Sequence, residues 1–207
     1  MTGSARSALD ILKHQSMVSR GSKYASILRL VQNCPDELFE QEFNAFRDAM
    51  KPGVLLNEIK NNPSIKNDVL QIAVRRHLVQ GVNVLLKNGV ILNNERNIKY
   101  NVYPIMDSVI TTSPRMPVEI VKTLLEAGMN PNYVGETGIH ALARYLDRED
   151  ILFVLFDHGA DIDGCFKKHS QMAGILKNSI IESHQRWIAS RAERLNVTPA
   201  KRLSRSL

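Results

Sequence analysis

Apolar residues recur along this chain at intervals of three and four, and few segments alternate with period two, so helices are expected nearly throughout. Ile27, Leu28, Leu30 and Val31 fit one helix, ended by Asn33-Cys34-Pro35. Asp36 leads into a second, with Leu38, Phe39, Phe43, Phe46 and Met50 on its apolar side and Pro52-Gly53 at its close. A short third run, Val54 to Ile59, precedes Asn61-Asn62-Pro63.

From about residue 67 the pattern repeats. Three stretches align: Val84-Leu85-Leu86-Lys87-Asn88-Gly89, Thr123-Leu124-Leu125-Glu126-Ala127-Gly128 and Val154-Leu155-Phe156-Asp157-His158-Gly159. Each is followed four residues after its glycine by Asn or Asp, at Asn93, Asn132 and Asp163. The apolar doublet suits the inner side of a helix's last turn. Glycine just beyond it suits a left-handed residue that stops the helix. The short polar side chain four residues on suits a turn. The glycines lie 128 − 89 = 39 and 159 − 128 = 31 residues apart. Upstream of each stretch lies another apolar helix: Asp68 to Val74, Tyr103 to Val109 and Thr137 to Ala143. The unit is helix, loop, helix, glycine, extended turn.

These residues resemble the ankyrin repeat family. Gly135-Glu136-Thr137-Gly138-Ile139-His140-Ala141-Leu142-Ala143 is similar to that family's G-x-T-P-L-H-x-A-A opening, and Gly159-Ala160-Asp161-Ile162-Asp163 to its G-A-D-V-N close. Glu119 to Gly128 matches the family's outer helix. The family's period of about 33 residues lies between the two spacings. Gly138 stands where the family has proline, and Met106 and Gln71 where it has histidine, so the first two repeats need another way to satisfy the turn. The resemblance implies an all-α, ankyrin-like solenoid with helical N- and C-terminal caps. Its expected divisions are a basic N-terminus (1–21), a helical cap (22–66), about three repeats (67–164), a degenerate fourth repeat (165–195) and a basic tail (196–207). In that fourth repeat one helix is expected over Ser170 to Asn178 and a longer one over Ile180 to Leu195, with Ile181, Trp187 and Ile188 apolar-side.

Composition is that of a soluble globular protein: 207 residues, 43% hydrophobic and 23% charged. The net charge of +6 would by itself suggest an anionic partner. Its distribution weakens that inference. Residues 1–33 carry +4, residues 34–164 carry −5 and residues 165–207 carry +7. Nucleic-acid association through the basic termini is thus the alternative rather than the leading expectation. Two cysteines, Cys34 and Cys165, fit a reducing compartment and small buried side chains. No run approaches the ~20 apolar residues of a membrane span, and no Sec-type signal is evident. A cytoplasmic or nuclear setting is expected.

Catalytic chemistry finds no spacing to support it. The six histidines, His14, His77, His140, His158, His169 and His184, show no metal-site pattern, and His140 sits at the family's structural position. Asp147, Glu149 and Asp150 suit a loop and helix start, where the dipole favours them. No phosphate loop or nucleophile elbow is present. No enzyme activity, metal or cofactor is expected. What the resemblance implies is binding of another protein, as adaptor or inhibitor, through a concave surface of the kind pathogen and viral proteins also use against hosts. Candidate contacts there are Tyr133, Val134, Glu136, Arg144 and Tyr145, aromatic and arginine types being common interface anchors. Tyr145 has the alternative of packing between repeats. Arg75 and Arg76 fall at the corresponding place in the first repeat, with the alternative of being simply solvated, and Ile98 and Tyr100 mark its long finger.

Overall fold

The computed structural model describes residues 23–48, 63–90, 92, 104–112, 115–134, 140–169 and 174–196. The chain divides into two compact units, residues 1–130 and 131–207, so the span expected to hold the repeats is shared between them. Among the described residues every regular element is helical. The first unit contains α1 (Lys23–Asn33), a 3-10 turn (Asp36–Leu38), α2 (Phe39–Asp48), α3 (Pro63–Arg75), α4 (Val79–Lys87), α5 (Ile105–Thr112) and α6 (Val118–Glu126). The second contains α7 (Ala141–Arg144), α8 (Glu149–Asp157), α9 (Ile162–Lys168) and α10 (Gly174–Asn196).

Taken in pairs along the chain, these helices form a leading member (odd-numbered) and a trailing member (even-numbered). In the first unit α1 packs on α3 and α3 on α5, while α2 packs on α4 and α4 on α6. Leading helices thus stack on leading ones and trailing on trailing. The second unit keeps the rule, with α7 against α9 and α8 against α10. The apolar faces explain the stacking. Val69, Leu70, Ala73 and Val74 of α3 are buried, as are Val82, Val84 and Leu85 of α4 and Ile120, Val121, Leu124 and Leu125 of α6. Burial of each such side chain is worth roughly 1.5–3 kcal/mol, far more than helices of eight to thirteen residues gain from propensity.

The glycine stops behave as their spacing predicts. Gly89, Gly128 and Gly159 have φ of 82°, 95° and 81°. After α4, Gly89 N–H donates to Leu86 O (2.9 Å) and Val90 N–H to Leu85 O (3.1 Å). Gly128 and Met129 repeat those two bonds to Leu125 O and Leu124 O, and Gly159 and Ala160 repeat them to Phe156 O and Leu155 O. This is the paired closure of a Schellman end, which satisfies otherwise orphaned carbonyls. A fourth copy ends α3, where His77 and Leu78 donate to Val74 O and Ala73 O. There the left-handed residue is His77, at φ 59°, instead of glycine.

The front of the chain follows the expected helices. The 3-10 turn at Asp36–Leu38 shifts the apolar phase, leaving Leu38 42% exposed while Phe39, Phe43 and Phe46 are buried. Met50 and the run from Val54 to Ile59 lie outside the described residues. The helix expected from Asp68 begins earlier, with Pro63 opening α3, a place where its missing N–H costs nothing.

The rear differs from expectation. The leading helix of the last pair is α9, Ile162–Lys168, built from residues assigned to the third repeat's closing turn and the start of the fourth. The trailing helix is α10, unbroken from Gly174 to Asn196, with Ser179 Oγ donating to Ile175 O within it. Nothing between Asn178 and Ile180 breaks a helix, so the expected division there does not occur. Its core-facing side is also shifted. Ile180 and Ser183 are buried and His184 and Trp187 half-buried, an i, i+3, i+4, i+7 set. Ile181 and Ile188, expected on that side, are 40% and 50% exposed.

Candidate functional site

Tyr145 has 0% exposure and is among the largest fully buried side chains. It is therefore a core residue of the second unit, correcting its place among the candidate contacts. It directly follows the last turn of the short α7, where Ala141 and Leu142 are buried too. A ring in this position fills the interior that such a short helix leaves. Arg144, one residue earlier, is exposed. Tyr133 and Val134 are half-buried, and Val134 forms an isolated antiparallel bridge with His140. Glu136, Ile98 and Tyr100 lie outside the described residues.

The two arginines at the end of α3, both exposed, make different contacts. Arg75 is exposed, its Nη2 3.5 Å from Gln71 Oε1 one turn back. Arg76 instead holds a neighbouring helix end, its Nη1 donating to Val31 O (2.6 Å) and Cys34 O (3.2 Å). Those carbonyls end α1, where a cation also complements the helix dipole. Arg76 is thus a cap for the preceding leading helix and not a spare surface group. Asp36 acts in the opposite sense, its carboxylate accepting N–H groups of Gln80 (3.1 Å) and Gly81 (3.0 Å) at the start of α4. Nothing local in the sequence announces either link, since each joins residues more than forty positions apart.

His140 is structural in geometry. It is 2% exposed, precedes α7, and its Nδ1 accepts the Leu142 N–H at 3.2 Å. Its own N–H donates to His169 Nε2 at 3.0 Å. Burial, followed by the neighbouring His169, holds its pKa down at about 4, so the ring is neutral near pH 7. Both cysteines are buried, and burial pushes each thiol up to about 11, which leaves them protonated. The acidic run lies at the start of α8 as expected. Asp150 pairs with Arg148 at 2.7 Å, a bond that holds its pKa below the usual range, and Glu149 pairs with Arg186 of α10.

Sequence patterns did not single out the aromatic group between α8 and α10. His184 stacks on Trp187 with centroids 5.3 Å apart and meets Phe156 edge-on at 4.9 Å. Trp187 Nε1 donates to Asp157 (2.9 Å), and Arg191 lies 5.3 Å over the indole. These contacts hold one trailing helix to the next. Among the described residues, no three His, Cys, Asp or Glu side chains gather as a metal site, and no helix is long and apolar enough to cross a membrane.

The class defined by these features is an all-α protein of two units, in each of which the described leading helices pack on leading ones and trailing on trailing. Comparison of the chain with protein-family models, curated proteins and solved structures found no match.

Proposed function

We propose that this is an ankyrin-like, non-catalytic module that binds another protein, as adaptor or inhibitor, through the solvent side of its leading helices. The observation that carries the proposal is the row packing. Stacking leading helix on leading helix secures the scaffold from within, so exposed residues such as Arg75 and Arg144 are not needed for its core. The repeated glycine closures and the His140 cap lend support to the family resemblance.

The test is cross-linked affinity capture with the full chain, wild type beside an Arg75→Ala/Arg144→Ala double variant. A specific protein retained by wild type and lost by the variant supports the proposal. Capture of no specific protein, or equal capture by both, overturns it.

A further inference from the structure

We infer that the leading-helix side of each unit docks an acidic protein segment; this rests on the proposed function and gives its partner a chemistry. Charge is sorted between the two rows. The five leading helices hold seven Lys or Arg against three Asp or Glu. The trailing helices α2, α4, α6 and α8 hold three against eight, and only the last, α10, reverses the sign with four against two. The −5 of residues 34–164 therefore does not describe the leading helices.

The cations lie where a partner can reach them. In the first unit Arg29 of α1 and Arg75 of α3 are both exposed, and their helices pack together. Their helices turn Ile27, Leu30 and Val31, and Val69, Leu70, Ala73 and Val74, to the interior. In the second unit Arg144 of α7 and Lys167 of α9 are exposed on two helices that also pack together. Each unit thus offers its own pair of cations on neighbouring leading helices. Asp107 and Asp163 lie among the leading helices as well, so their positive charge is modest.

A short acidic peptide is favoured over nucleic acid by distance. Packed helix axes lie about 8–10 Å apart, close to the Debye length of about 10 Å at 0.1 M salt. In the first unit, whose trailing helices hold three Lys or Arg against five Asp or Glu, a polyanion that extends beyond the leading row therefore feels the carboxylates of the trailing row. A segment confined to the row meets mainly the cations.

The probe is a fluorescently labelled polyglutamate peptide, followed by anisotropy with the full chain at about 50 and 200 mM salt. Circular dichroism of each variant checks that the fold is kept. Arg29→Glu/Arg75→Glu and Arg144→Glu/Lys167→Glu should each weaken binding at least about tenfold, and salt should weaken wild type. Glu119→Lys/Glu126→Lys, on the trailing helix α6, should not weaken it. Absence of peptide binding, unchanged affinity in both leading-helix variants, or loss only with Lys201→Glu/Arg202→Glu in the tail overturns the inference. So does an equally charged DNA duplex that competes the peptide away and remains bound after both reversals. A protein captured by wild type, lost with Arg75→Ala/Arg144→Ala and yet indifferent to polyglutamate competition would leave the proposed function standing and sink the acidic partner alone.

Discussion

Asp36 Oδ1 accepts the backbone N–H of Gly81 at 3.0 Å, so a residue just before α2 caps α4, the next trailing helix. Arg76 does the converse, capping α1 from the end of α3. The two contacts tie the first two helix pairs together by their ends as well as their faces.

Asp36→Ala should destabilise the first unit by about 1–2 kcal/mol, the usual cost of losing a helix N-cap. Asp36→Asn should cost less, because one acceptor oxygen remains. Native-state amide exchange at Gln80 and Gly81 locates the effect. Unchanged protection there in Asp36→Ala would mean that the cap contributes nothing.

The left-handed closures give a matched pair of substitutions. A Cβ at Gly128 or Gly159 would meet nothing within 4 Å, so the cost of alanine is conformational alone. About 1–2 kcal/mol is expected at each position. At His77 the same conformation already carries a side chain, and His77→Gly removes that strain. It also removes a ring whose Nε2 is buried without a hydrogen bond and whose pKa is lowered by burial and by Arg115. Urea titration should show His77→Gly as no less stable than wild type, in contrast to both alanine variants.

His140 should make the second unit acid-sensitive. Its folded pKa, about 4, lies below the ordinary 6.5, so the unfolded chain binds the extra proton first. Its contribution is complete above about pH 6.5 and fades as pH falls toward 4. The full range is about 3 kcal/mol by the usual conversion. Protonation also removes the acceptor that Nδ1 offers Leu142 N–H. His140→Asn keeps a capping acceptor without a titrating group, so its stability should be flatter between pH 4 and 6.5. Parallel curves for the two proteins would refute this account.

Tyr145 and Arg144 provide a contrast between neighbours. Tyr145→Ala should cost about 3–5 kcal/mol, as for other large buried rings, whereas Arg144→Ala should stay within about 0.5 kcal/mol. Trp187 is the only tryptophan and lies in the second unit, so its fluorescence follows unfolding of that unit. Equal midpoints for the two variants would contradict the burial of Tyr145.

Helix identity and the glycine stops were legible because both depend on local physics. The apolar period marks which segments coil, and Gly89, Gly128 and Gly159 mark where trailing helices end. The rear was less legible because the turn expected after Gly159 is nearly absent: α9 begins at Ile162. Asn132 supports that sharp return from a distance, accepting the Asp161 N–H and donating to Gly159 O. The roles of Tyr145 and Arg76 were also hard to read. An aromatic ring after a helix suits an interface or an interior, and an arginine suits solvent or a neighbouring helix's carbonyls. Only packing decides between them. Of the remaining candidate contacts, Arg75 and Arg144 are exposed, and Tyr133 and Val134 are half-buried.

The common glycine closure separates scaffold from connector. After the same two hydrogen bonds, residues 90–104 lead to α5, residues 129–140 to α7, and only residues 160 and 161 to α9. Identical stops followed by stretches of such different length mean that the closure itself does not dictate how soon the next leading helix begins. The same stop can therefore serve repeats of unequal length, which is how spacings of 39 and 31 residues between the glycines coexist in one chain.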